Sequence, residues 1–258
     1  MNKTSISWTQ YTWNWATGCT KVGPGCLNCY MFRIYEQKRI QDPSKVVLHP
    51  ERLLQPLKVK TPSKVFVNDM GDTFHSLVPD ELIEQAFRIM EELAPWHTYQ
   101  VLTKRINRMR RFSQGHPFPS HIWAGTSVET RKLWARAEML KEVSTQVRFL
   151  SLEPLLEDLG DLDLTGIHWV ITGGESGPRF RPMNLAWARR IRDQCVEQGV
   201  AFWYKQGSGY FPESDKYLDG MVWHNFPAPS IIISDGLKVG QTTRRDQSEA
   251  VAPKATLF

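Results

Sequence analysis

The sequence predicts an α/β fold, a closed or partly open barrel of parallel strands alternating with helices, on three observations. Short apolar runs rich in β-branched and aromatic residues recur evenly along the chain, helical patterns separate them, and run after run ends in polar residues capable of chemistry. About seven such β/α units in ~200 residues suit a parallel barrel, with a doubly wound open sheet as the alternative.

The first strand is expected near Thr12 to Thr17, and the next six over Lys64 to Asn68, Tyr99 to Thr103, His121 to Gly125, Val147 to Ser151, His168 to Thr172 and Val200 to Tyr204. Between them, Pro79-Asp80 opens a helical pattern that sets Leu82, Ile83, Ala86, Phe87, Met90 and Leu93 on one face. Asn184 is placed to cap a helix from Leu185 to Gln198, which Gly199 ends. The barrel is assigned residues 1–225. From 226 to 258 the pattern lapses into a partly flexible extension holding a short strand at Ile231 to Ile233 and the basic pair Arg244-Arg245.

In a parallel barrel the site is built by loops at the carboxyl ends of the strands. Those ends here read Asn68-Asp69-Met70-Gly71-Asp72, Thr103-Lys104-Arg105, Thr126-Ser127-Val128-Glu129, Ser151-Leu152-Glu153-Pro154, Gly173-Gly174-Glu175-Ser176-Gly177 and Lys205-Gln206-Gly207. Any one of them suits a solvated loop or a helix cap, whereas so many converging on one rim mark a site.

The loop after the first strand carries three of the four cysteines, Cys19, Cys26 and Cys29. Three thiolates in one loop suggest a metal or cluster with one coordination position open, since structural zinc sites close with four protein ligands. Clustered cysteines in a chain of 258 residues do not form a disulfide framework and suit a reducing compartment. No apolar run approaches the ~20 residues of a membrane span, and Met1 to Trp8 lacks the layout of a signal peptide, so the expected address is the cytoplasm. A net charge of +5 is compatible with an anionic partner, although basic groups such as Arg189-Arg190-Ile191-Arg192 equally describe solvated helix faces.

The Cys-x6-Cys-x2-Cys loop, with Thr17-Gly18 before it, Pro24-Gly25 inside it and Tyr30 after it, resembles the cluster loop of radical S-adenosylmethionine enzymes. More narrowly, the chain resembles a family of phage and bacterial proteins with such a three-cysteine motif. The matching stretches include Trp13 to Cys19, Met70 to His75, Leu102 to Arg105, Ser151 to Leu155, Gly173 to Gly177 and Asp219 to Trp223. The first gap departs from the superfamily's commonest Cys-x3-Cys-x2-Cys.

The resemblance implies a barrel of the radical-SAM type and a 4Fe–4S cluster held by Cys19, Cys26 and Cys29, its fourth iron open to S-adenosylmethionine. It casts Met70, Gly71 and Asp72 opposite the cofactor's amino group, Lys104 or Arg105 opposite its carboxylate, and Ser127 or Glu129 opposite the ribose. Glu153, Glu175 and Lys205 are then left to bind substrate or move protons. An external electron donor is implied, and a nucleobase, nucleotide or phage nucleic acid is the expected substrate, flipped out or single-stranded.

A second reading makes the chain a zinc-bearing nucleic-acid-binding protein, its three cysteines joined by His49 or His75. A third is a hydrolase using metal-bound water and Glu153 or Glu175, which a thiolate-rich loop disfavours. Gly173 to Gly177 is a poor phosphate loop, because Glu175 opposes phosphate and no Walker lysine follows. Trp123, Trp169 and Trp203 read as core or the shell behind it; Trp8, Trp13 and Trp15 flank the cysteine loop, where packing competes with stacking on a base. Cys195, mid-helix, reads as a buried thiol.

Overall fold

The structure is a computed structural model that describes residues 1–227. The expected strand at Ile231 to Ile233 and the rest of the extension beyond Pro227 lie outside the described residues. Seven strands form one parallel sheet: β2 (Tyr11–Trp13), β5 (Lys64–Val67), β6 (Thr98–Thr103), β7 (Ile122–Ser127), β8 (Arg148–Leu152), β9 (Trp169–Gly173) and β10 (Ala201–Gln206). They stand side by side in chain order, with β1 (Asn2–Lys3) added antiparallel at the β2 edge. Consecutive order has no switch point, so the doubly wound alternative is excluded and the partly open barrel topology stands.

The expected first strand splits in two. β2 ends at Trp13, and β3 (Ala16–Thr17) leaves the main sheet to pair antiparallel with β4 (Val47–Leu48). The Asn68 side chain marks the break, for its Oδ1 accepts from the Ala16 amide at 3.1 Å, where a strand partner would otherwise stand.

Period-2 alternation sorts the strands into two faces. Val65, Val67, Tyr99, Val101, Leu150, Val170 and Phe202 join the large core shared with the helices, while Phe66, Phe149, Trp169, Ile171 and Trp203 gather with Trp8 in a second cluster. Phe149 needs a glycine neighbour, since a Cβ on Gly125 would stand 2.4 Å from its ring. Tryptophans therefore fill the second cluster, as the sequence suggests for Trp169 and Trp203; Trp123 packs against it half-buried.

The helices are α1 (Tyr30–Lys38), α2 (Asp80–Arg88), α3 (Ile106–Gly115), α4 (Ala135–Lys141) and α5 (Leu185–Glu197). α2 buries Leu82, Ile83, Ala86 and Phe87 as its period requires, and a π turn over Ile89–Leu93 then carries Met90 inward but leaves Leu93 exposed. The insertion of one residue per turn rotates the face, which a strict 3.6-residue period does not anticipate. α5 begins as expected, with the Asn184 carboxamide accepting from the Ala186 amide at 2.9 Å, and Gly199 follows it at φ +69°. Between β8 and β9 no helix forms; Leu155, Leu159, Leu162 and Leu164 bury an irregular crossover against the core instead. Among the described residues no helix is long and apolar enough to cross a membrane.

Candidate functional site

A cavity of about 230 Å³ opens where the strands end. Its apolar lining comes from Ile6, Trp8, Phe66 and Leu102, and its polar lining from the strand ends: Asp69, Gly71 and Asp72 after β5, Lys104 and Arg105 after β6, and Ser127 on β7. Glu153 follows β8, Glu175 follows β9, and Lys205 belongs to β10. Cys19, Cys26 and Cys29 complete the wall. The predicted convergence of the rim on one site is thus what the backbone builds.

Each cysteine is positioned differently. Cys26 closes a short 3-10 turn begun by Pro24 and is buried. Cys29 occupies the N-cap position of α1, where the Phe32 and Met31 amides oppose the burial that pushes its thiol pKa up. Burial pushes Cys19 to about 11, against the Arg105 guanidinium at 3.4 Å from its sulfur. All three are free of disulfides, and Cys26 acts electrostatically on both of the others.

As the side chains stand, no three of the His, Cys, Asp and Glu groups among the described residues are close enough to hold an ion. The donor set still suits a soft, thiolate-bound group: three thiols on one cavity wall. Burial favours the neutral thiols of Cys19 and Cys29, and coordination of a metal would take their thiolates and release those protons.

Of the two residues expected opposite a ribose, Ser127 lines the cavity and Glu129 does not. Glu129 lies fully buried behind the cysteine loop, paired with the Lys104 ammonium and with Arg136 Nη1 at 3.1 Å. A Cβ on Gly25 would stand 2.5 Å from Glu129 Cγ, so the loop rests its backbone directly on this ion cluster. Lys104 borders the cavity but is committed to Glu129.

Asp72 lines the cavity with its carboxylate already engaged. Its carboxylate accepts from the Thr103 hydroxyl at 2.6 Å, the Phe74 amide at 2.9 Å, the Lys104 amide at 3.2 Å and Arg105 Nη1 at 2.9 Å. Four donors leave it little capacity for an incoming ammonium. Met70 does not line the cavity; its carbonyl accepts from the Gly18 amide at 2.9 Å and its amide donates to Asn14. Gly71 is required by the chain itself, because a Cβ there would stand 2.9 Å from the Ala16 carbonyl oxygen.

The carboxylate that sequence reasoning missed is Asp69, which lines the same wall and accepts from Asn14 Nδ2 at 2.6 Å. Burial raises its pKa against the hydrogen bonds of Asn14 and Thr12. Its signal was its place in the strand-end string beside Asp72.

Glu153 and Lys205, which also line the cavity, face each other at 3.3 Å, with Ser151 3.4 Å from Glu153. Glu175 is held by the Arg181 amide at 2.8 Å and Nε at 2.9 Å and by Asn28 Nδ2 at 2.9 Å. Burial alone would raise its pKa, but the Arg181 and Asn28 hydrogen bonds outweigh it and hold the carboxyl below the usual range. Asn28, lying between Cys26 and Cys29, also donates to the Arg179 carbonyl at 2.7 Å, so it ties the cysteine loop to the β9 end. Arg136 and Arg181 gave no sequence signal, since their partners lie in neighbouring loops.

Neither histidine of the zinc reading borders the cavity. His75 has Nδ1 accepting from the Leu77 amide at 3.1 Å and Nε2 bonded to the Thr20 hydroxyl at 2.9 Å, while His49 Nε2 is bonded to the Thr17 hydroxyl at 2.9 Å. Trp13 and Trp15 are fully buried in the core, the first donating to the Arg52 carbonyl at 2.9 Å, so of the flanking tryptophans Trp8 alone reaches the cavity.

A family model described as Protein of unknown function (DUF5131) matches residues 3–244. No curated protein matches the chain. Among solved structures, a variant of spore photoproduct lyase is similar at a TM-score of 0.44 and 12% identity, and a second variant, with dinucleoside spore photoproduct, at 0.43 and 11%. Each comparison covers 76% of this chain and 63% of the other, so the chain spans less than two thirds of the length of those proteins.

Proposed function

The chain belongs to the DUF5131 family, and we propose that it is a radical S-adenosylmethionine enzyme in which Cys19, Cys26 and Cys29 hold a 4Fe–4S cluster. The observation that carries this reading is the lining of one cavity, at the carboxyl ends of consecutive parallel strands, by three free thiols. When bound, the cluster supplies the electron that cleaves the cofactor's sulfonium to a radical able to take hydrogen from a substrate. An external donor must provide that electron.

The chain's own residues divide the remaining work. Asp69, rather than the saturated Asp72, is the carboxylate available to the cofactor's ammonium, and a bound cation would restore the ionisation that burial opposes. Ser127 borders the same wall for a ribose hydroxyl. The apolar lining from Trp8, Phe66 and Leu102 limits water in the cavity. Glu153 and Lys205 face the substrate side, each able to hold or pass a proton, and Glu175 positions the cysteine loop through Asn28.

The substrate proposed is a nucleobase, presented flipped or single-stranded. Its support is a set of exposed aromatic residues, Phe180, Tyr210 and Phe211, and the exposed Arg179, carried by the segments that follow β9 and β10. The loops bearing them are joined by the Gly177 amide donating to the Gly209 carbonyl at 3.0 Å. Stacking faces with nearby cations are what sequence-tolerant binding of single strands uses.

Iron and acid-labile sulfide analysis after anaerobic purification tests the metal: a brown protein with both supports the reading. A colourless protein carrying zinc contradicts it.

A further inference from the structure

Arg105 follows Lys104 at the end of β6 and reaches back to the cysteine loop. Its side chain is 14% exposed. Nη1 lies 2.9 Å from Asp72 Oδ2 and 3.4 Å from Cys19 Sγ, while Nη2 lies 3.0 Å from the Thr20 carbonyl oxygen and 2.9 Å from the Thr20 hydroxyl. Asp72 is itself fixed by the Thr103 hydroxyl and by the amides of Phe74 and Lys104. The guanidinium is therefore oriented by the fold, from a carboxylate with no spare capacity, and aims an N–H at a sulfur.

We propose that Arg105 is a positioning residue that fixes Cys19 against the cavity and, through this charge-assisted N–H bond to sulfur, raises the reduction potential of the group Cys19 ligates. The inference rests on the cluster reading above. Adding an electron increases negative charge on the sulfurs, so a cation and a donor directed at one of them stabilise the reduced state. The role needs arginine. A lysine ammonium is a single point of charge and cannot bridge Asp72, Cys19 and Thr20 together. Neighbouring Lys104 does not share the task, being paired with Glu129.

The test is an anaerobic redox titration of the reconstituted full chain, with iron content measured on each sample. Arg105→Gln is expected to lower the ratio of reduced to oxidised cluster at a fixed potential by roughly tenfold, a shift of ~59 mV to more negative potential for a one-electron couple. Arg105→Lys should move it in the same direction by less, and it carries the measurement if the glutamine variant does not fold. Arg110→Gln removes a cation from α3, the helix whose N-cap is Arg105; among the described residues it forms an ion pair with exposed Glu142 alone, and the variant should titrate like wild type. Arg105 variants that load iron and keep the wild-type potential overturn this inference alone, whereas a wild-type chain that takes up no iron overturns it together with the cluster reading.

Discussion

Replacing Gly25 with alanine should separate the cysteine loop from its support, and the structure sets the size of the effect. The new Cβ would stand 2.5 Å from both Glu129 Cγ and Oε1 and 2.7 Å from Cδ, about 1 Å inside ordinary contact. Glu129 cannot retreat cheaply. It is fully buried, and abandoning Lys104 and Arg136 would strand charges at a cost of roughly 3–5 kcal/mol. The loop yields instead, at the ~1–3 kcal/mol typical of overpacking, and carries Cys26 away from the other two thiols. Urea unfolding should show a lower midpoint with unchanged slope, and anaerobic reconstitution should show reduced iron content. Shortening the opposing side chain gives the control: in a double-mutant cycle, Glu129→Asp should offset part of the alanine's cost, with a coupling of about 0.5–3 kcal/mol. A Gly25→Ala chain with wild-type midpoint and full iron refutes the proposed contact between loop and ion cluster.

Glu129→Gln leaves Lys104 and Arg136 without their buried anion and should destabilise the chain by roughly 3–5 kcal/mol in denaturant titration; a loss under 1 kcal/mol would mean that water already screens the cluster. Asp69→Asn should weaken S-adenosylmethionine binding to the loaded protein roughly 10- to 150-fold by equilibrium dialysis, the value of one charge-assisted bond, whereas Asp72→Asn should mainly lower stability. Cys195 is fully buried, and burial pushes its thiol from 9.0 to about 12. A raised acid pKa gives stability that is complete below pH 9 and is lost as pH rises through about 12, up to about 4 kcal/mol. Alkylation mapped by mass spectrometry should accordingly modify Cys195 last, and only upon unfolding.

The barrel was legible because each strand is a short apolar run that stops at polar residues; six of the seven expected runs fall within two residues of the observed strands. The first did not, since its continuation past Trp13 depends on Asn68, more than fifty residues away, which takes the Ala16 amide. The π turn that expels Leu93 likewise follows from packing rather than from period. In the site, sequence could name the strand ends but not their pairings. Asp69 and Asp72 are three residues apart, chemically equal and both on the cavity lining; only the fold shows that four donors saturate Asp72 while Asp69 is held by Asn14. Glu129 ends a strand as Glu153 does, yet Gly25 and Arg136 bury it behind the loop.

The central claim is that three thiols on one cavity wall present a reactive cluster to S-adenosylmethionine. Its most direct measurement is release of 5′-deoxyadenosine by the reconstituted, chemically reduced protein, compared between wild type and Cys26→Ala. Release by wild type and none by the variant is the predicted result; equal behaviour of the two, whether both active or both silent, contradicts it.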